Sequence, residues 1–222
     1  MAKSRLHLMT DYKRLLKIFD SGAFFCAVDT ETTGLKLYEK NPENQEDKKI
    51  FNRVIEIGAV LFNKEGVISK FNTLVNPQTS ISAFITNLTH INDKMLSESP
   101  LFTEVSNEFL NFLNGSDTII VAHNAQFDLR FLNAEFENCG KKSLENHAVD
   151  TLRLSRISFP EKKSWTLQNL ASDFKIEVHS AHRAYDDARV CMEIFKKCLE
   201  EIKRKKIKNQ TAVLSLAKQA LL

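Results

Sequence analysis

The chain has 222 residues, 43% hydrophobic and 27% charged, with a formal net charge of +3. That is enough apolar material for one sizeable core, and too small a charge excess to define a nucleic-acid partner from composition alone. No apolar run approaches the ~20 residues needed to cross a bilayer, and no signal-peptide pattern opens the chain. The four cysteines, Cys26, Cys139, Cys191 and Cys198, form no CxxC pair and read as small core residues of a reduced, cytoplasmic protein.

In chain order, Tyr12, Leu15, Leu16 and Phe19 recur at helical spacing and predict an amphipathic helix over 11–20. The unbroken apolar run Phe24-Phe25-Cys26-Ala27-Val28 predicts a strand buried on both faces. At its exit stands Asp29-Thr30-Glu31-Thr32-Thr33-Gly34. On extended backbone residues i and i+2 share a face, so Asp29 and Glu31 can present oxygens to one point. Two converging anions call for a cation, and a hard divalent ion, Mg²⁺ before Mn²⁺, suits oxygen ligands. The competing reading is a strand-end turn, since Asp, Thr and Gly are common turn residues.

Residues 36–52 turn highly polar around Pro42 and predict a flexible excursion. Two strands, 53–62 and 67–75, joined at Asn63-Lys64-Glu65-Gly66, predict a hairpin that completes a three-stranded meander with the first strand. Short helical turns over 81–96 and a packed helix over 101–113 follow. Thr118 to Ala122 predicts another strand, and His123-Asn124-Ala125 leads into a helix that opens with Asp128 among apolar neighbours. Asp128 suits either a shared acidic site or plain helix-start chemistry. A short strand ends at Val149, and helical patterns cover 152–157, 167–174 and 183–206. Strands first and alternating strand and helix later predict an α/β fold with a mixed sheet. One domain, 1–200, with a basic C-terminal helix or tail, 201–222, is the expected division.

The last helix carries an apolar stripe, Ala184, Ala188, Cys191, Ile194, Phe195 and Cys198, and Asp187 lies on it, whereas Asp186 is expected to face solvent. A carboxylate on a buried face is costly unless paired or bound to metal. Asp29, Glu31, Asp128 and Asp187 are each awkwardly placed for an anion, and one divalent-metal site explains all four; two ions there would clamp an in-line displacement at phosphorus. His182 falls on the lead-in to the helix, where it can take a proton from water near neutral pH, or serve simply as a surface or capping histidine. His147 and His179 have no such company and read as structural. The run Lys203-Arg204-Lys205-Lys206, with Lys208 beyond, suits a solvated helix end, or a DNA patch.

The stretches Val28 to Gly34, Ile55-Glu56-Ile57-Gly58-Ala59-Val60, Val121 to Asp128 and His182-Arg183-Ala184-Tyr185-Asp186-Asp187-Ala188 together resemble the DEDD exonucleases of the histidine subclass (DEDDh). Within them they are most similar to the epsilon-type proofreading subunits and exonuclease domains of bacterial replicative polymerases. The resemblance covers about residues 24–198. It implies a ribonuclease-H-like mixed five-stranded sheet flanked by helices, and a 3′→5′ exonuclease releasing nucleoside 5′-monophosphates from single-stranded or frayed DNA 3′ ends. It further implies Asp29, Glu31, Asp128 and Asp187 as ligands of two Mg²⁺ ions (Mn²⁺ as a substitute) and His182 as general base. Thr32, Leu35 and Asn124 would contact substrate, and a replicative polymerase or sliding clamp would be the partner. RNA trimming by the same superfamily, and a non-catalytic nucleic-acid-binding or scaffold module, are the rival expectations. Two departures stand out: His90 occupies a position where the family has Gly, and the 36–52 excursion is long. Gln210 to Leu216 is similar to a clamp-binding peptide, with a terminal amphipathic helix as the alternative.

Overall fold

The computed structural model describes residues 7–40 and 49–207. In chain order it places His7–Leu8 (β1), Tyr12–Asp20 (α1), Phe25–Thr32 (β2), Tyr38–Lys40 (β3), Lys49–Phe51 (β4), Val54–Asn63 (β5) and Gly66–Leu74 (β6). Ala83–Thr89 (α2), Asp93–Ser97 (α3), Phe102–Phe112 (α4), Ile119–Ala122 (β7) and Gln126–Asn138 (α5) follow, then His147–Asp150 (β8), Thr151–Ser158 (α6), Leu167–Phe174 (α7) and Ala184–Lys205 (α8).

Six strands form the main sheet in the order β1-β8-β7-β2-β5-β6. β2, β5 and β6 make the expected antiparallel meander, while β2, β7, β8 and β1 run parallel. The sheet thus has one strand more than the five expected. β1 is only His7 and Leu8, paired with His147 and Ala148, too short to leave a periodic signal. The β5–β6 turn is held by Asn63 Oδ1, which accepts from the N–H of Glu65 at 2.8 Å.

Alternation along β2 divides the core between the two sheet faces. Phe25 and Ala27 pack with Val60, Phe62 and Phe195 of α8, whereas Cys26 and Val28 pack with Ala59, Phe109 of α4 and Phe136 of α5. Phe195 sits with its ring 5.3 Å from Phe25 and 5.9 Å from Phe62, so α8 is anchored by an aromatic cluster worth about 1.5–3 kcal/mol per buried ring.

Part of the polar excursion is ordered. β3 and β4 pair antiparallel with Tyr38 opposite Phe51, their rings 5.5 Å apart, so the two ends of the segment form a small hairpin instead of a flexible run; residues 41–48 lie outside the described residues. His90 itself adopts the left-handed conformation, φ 59°, that closes α2, which is how a non-glycine residue fills that turn. α8 continues without a break past residue 200 to Lys205, and the basic run is its last turn, with Arg204 and Lys205 paired to Glu201. Lys208 and the clamp-like stretch Gln210 to Leu216 lie outside the described residues.

Candidate active site

Asp29 and Glu31 continue the α8-facing set of Phe25 and Ala27. β2 runs on to Thr32, so the acidic pair lies within the strand and not beyond its exit. In the register with β5, Asp29 is opposite Gly58 and Glu31 is opposite Glu56. β7 lies parallel to β2 on its other side, and the chain leaving it turns through Asn124, at φ 66°, into α5. This brings Asp128, in the first turn of α5, beside β2, where its Oδ1 accepts from both the N–H and the hydroxyl of Thr30 at 2.9 Å.

The third contribution comes from the start of α8. Gly58 leaves room for it: a Cβ there would overlap the backbone of Ala184 and Tyr185. Glu56, 1% exposed, fixes the same turn by accepting from Arg183 Nη2 at 2.7 Å and from the N–H of Ala184 at 3.0 Å. His182 precedes it in the left-handed region, φ 59°, with its main-chain N–H on Asp187 Oδ2 at 3.3 Å. Glu56→Gln would weaken the clamp that holds α8 on β5. The expected result is a loss of about 2 kcal/mol in thermal melts and a several-fold drop in kcat with KM little changed, because Asp187 rides on the displaced turn. A kcat equal to wild type would show that the clamp does not position the site.

Asp186 is not solvated as expected. It is 4% exposed and accepts from the N–H groups of His179 and Ser180 at 2.7 and 2.8 Å and from Arg189 Nε at 2.9 Å. Burial raises its pKa, but these donors outweigh burial and hold it below the ordinary carboxylate value. Asp186 therefore ties the 179–180 loop to α8, while its neighbour Asp187 faces the site.

The four site carboxylates are pushed the other way. Burial, followed by the charges of Asp128 and Glu31, raises Asp29 well above its ordinary value. Burial and the facing charges of Asp187 and Glu56 lift Glu31 to about 9. Burial lifts Asp128 to about 7 against the opposing Thr30 hydrogen bonds, and lifts Asp187 to about 6 against the His182 N–H. Such a cluster is uncomfortable without a cation. Ligand atoms of Glu31, His182 and Asp187 lie within 4.8 Å of one another, and Asp187 Oδ1 is buried with no hydrogen-bond partner. An orphaned carboxylate oxygen among converging carboxylates fits a hard divalent ion.

All eight predicted site residues, Asp29, Glu31, Thr32, Leu35, Asn124, Asp128, His182 and Asp187, line a single open cavity of about 810 Å³. Thr32 is buried, its hydroxyl on the Gly34 carbonyl at 2.8 Å, and Leu35 is 66% exposed at the rim. Asn124 is held through its main-chain N–H by Asp150 Oδ1 at 3.2 Å. Sequence reasoning gave no role to Glu56, Gly58 or Thr30. A glutamate and a glycine inside the apolar run Ile55 to Val60 were the available signal for the first two.

The sequence and the fold both match known proteins. The Exonuclease family (RNase_T) matches residues 26–195. The DNA polymerase III subunit epsilon of Treponema pallidum (strain Nichols) is 46% identical over 173 residues, 77% of this chain and 74% of that protein. A DNA polymerase III PolC-type from Caldanaerobacter subterraneus subsp. tengcongensis is 38% identical over 192 residues, 86% of this chain but 13% of that much longer protein. Two solved structures share the fold. Exonuclease X in complex with 5′ overhanging duplex DNA has a TM-score of 0.60 at 20% identity, covering 84% of this chain and 95% of that one. The nuclease domain of 3'hExo, a DEDDh family member, bound to rAMP has a TM-score of 0.63 at 18% identity, covering 81% and 93%. Since the matched span holds all four carboxylates and His182, the chain belongs to the Exonuclease (RNase_T) family.

Proposed function

We propose that this protein is a divalent-metal-dependent 3′→5′ exonuclease that releases nucleoside 5′-monophosphates from single-stranded or frayed DNA ends, as a proofreading activity beside a replicative polymerase. The observation that carries the reading is the meeting of Asp29, Glu31, Asp128, Asp187 and His182 in one cavity, with Asp187 Oδ1 left unpartnered. The DNA substrate and the polymerase partner rest on the names of the epsilon and PolC-type relatives. No helix among the described residues is long and apolar enough to cross a membrane.

Asp29, Glu31, Asp128 and Asp187 would hold two Mg²⁺ ions, with Mn²⁺ as a substitute, and when bound these supply neutralisation of charge at the scissile phosphate and a more acidic water. The chain's own residues do the rest. Thr30 fixes Asp128 and the His182 N–H fixes Asp187, so both carboxylates are oriented before substrate arrives. Thr32, Leu35 and Asn124 seat the 3′-terminal nucleotide. His182, carried on a linker and not inside the helix, takes the proton from the attacking water as the new P–O bond forms and the 3′-oxygen of the penultimate nucleotide departs.

The test is digestion of a 3′-mismatched primer-template and of an RNA of the same sequence, with and without EDTA. Nucleoside 5′-monophosphates are expected from DNA, at lower yield from RNA, and none with EDTA, and His182→Ala is expected to lower kcat by about 10²–10⁴-fold. Undiminished cleavage in EDTA, or by the His182→Ala protein, would refute the assignment. Metal binding is also expected to release protons. Asp187 near 6, Asp128 near 7 and Glu31 near 9 must deprotonate to serve as ligands, so Mn²⁺ affinity measured by calorimetry should climb as pH rises from about 6 to about 9.

A further inference from the structure

The acidic cluster makes up only part of the cavity lining, and other lining residues have a different chemistry. Among them are Arg156 of α6, and Lys163 and Trp165 of the α6–α7 connection. Arg156 and Lys163 are both exposed, and neither has a carboxylate partner among the described residues. The Arg156 guanidinium instead lies 5.7 Å from the centre of the Trp165 ring. Trp165 is tethered at two points: its indole N–H donates to the Phe159 carbonyl at 3.0 Å, and its own carbonyl is met by His123 Nε2 at 2.9 Å. A partly buried aromatic fixed at both ends, backed by these cations and open to a cavity, is built to receive a flat, anionic ligand.

We propose that Trp165, Arg156 and Lys163 form the subsite for the retained strand, with the base upstream of the scissile bond on Trp165 and its phosphates on Arg156 and Lys163. This rests on the exonuclease reading and extends it to a part of the cavity that the chemistry does not use. Charge decides which nucleotide goes where. The terminal nucleotide brings only the scissile phosphate, which the metal-binding carboxylates accommodate, and Thr32, Leu35 and Asn124 seat the rest of it. The retained strand brings a phosphate for every further nucleotide, and surface cations without a carboxylate partner among the described residues suit that continuing charge. Stacking is indifferent to base identity, so the subsite would hold any sequence.

The experiment compares two substrates: a single-stranded DNA oligonucleotide, and the p-nitrophenyl ester of thymidine 5′-monophosphate, which has no upstream nucleotide. For Trp165→Ala, KM on the oligonucleotide is expected to rise about tenfold with kcat within twofold, while the ester is cleaved as by wild type. Trp165→Phe, which keeps a ring on the same core, should restore most of the KM and guards against a folding artefact. The exposed pair Arg156→Gln with Lys163→Gln should reduce the salt dependence of oligonucleotide binding by about 0.7 per lost phosphate contact. Trp165 is also the chain's single tryptophan, so its fluorescence should be quenched by the oligonucleotide in EDTA and not by free thymidine 5′-monophosphate. Equal damage to both substrates, or an unchanged KM and salt slope, would overturn the subsite. A wild-type protein that cleaves neither substrate would sink the exonuclease reading instead, and the quenching measurement would still decide whether nucleic acid lies on Trp165.

Discussion

Asp128→Asn is expected to silence the enzyme and, in the absence of metal, to make it more stable. Asparagine keeps an oxygen to accept from the Thr30 N–H and hydroxyl, so the α5 start stays in place. What it removes is an anion. The Asp128 pKa is raised to about 7 in the fold, chiefly by burial, against an unfolded value near 4. Between those values the folded state holds a proton that the unfolded state has lost, so wild-type stability is greatest below pH 4. It declines as pH climbs to about 7, and the full penalty remains above that. The variant lacks this penalty. In EDTA at pH 8 its melting temperature should exceed wild type by several degrees, a gain on the order of 1–4 kcal/mol. At pH 4 the two should melt together. Cleavage by the variant should fall by about 10³-fold or more, the scale of several kcal/mol of transition-state stabilisation. Saturating Mn²⁺ should stabilise wild type far more than the variant. Equal melting temperatures at pH 8 in EDTA would mean that Asp128 is not held against its own charge.

This trade-off explains why so much of the site was legible in the sequence. Asp29 and Glu31 stand out as two acidic residues meeting at the end of an apolar strand, and Asp187 as an acidic residue on a face that periodicity marks as buried; the strain they carry in the fold is the same anomaly expressed as a raised pKa. Their partners were less visible. Glu56 meets Arg183 across 127 residues of chain, and no local rule links them. Asp186 looked solvated because helical periodicity turns it away from the stripe, yet the donors that bury it are main-chain N–H groups of the 179–180 loop, which side-chain patterns do not reveal. β1 and the β3–β4 pair are set by what lies beside them, and Trp165 gained meaning only once His123 and Arg156 surrounded it.

Gly58→Ala is expected to damage the protein more than alanine at any other of its glycines. In β5 this residue faces Asp29 across the strand pair, and the first turn of α8 passes directly over it. The overlap of a new Cβ would be with the backbone of Ala184 and Tyr185, not with the tip of a side chain that can swing aside, so relief requires α8 to move away from the sheet. Two observations say that α8 resists: its Phe195 is locked among Phe25 and Phe62, and Glu56 grips its first N–H. A loss of about 3 kcal/mol is expected, the upper end of overpacking, or roughly 6–12 °C in melting temperature. Whatever fraction folds should have Asp187 drawn back from Glu31, so both cleavage and the stabilisation by Mn²⁺ should be lost together even well below the melting temperature. Gly58→Ala protein that melts like wild type but is inactive would place the fault in the site and not in the packing. Full activity at wild-type stability would show that α8 does not rest on β5 at Gly58, and that the position of Asp187 is set by something other than this contact.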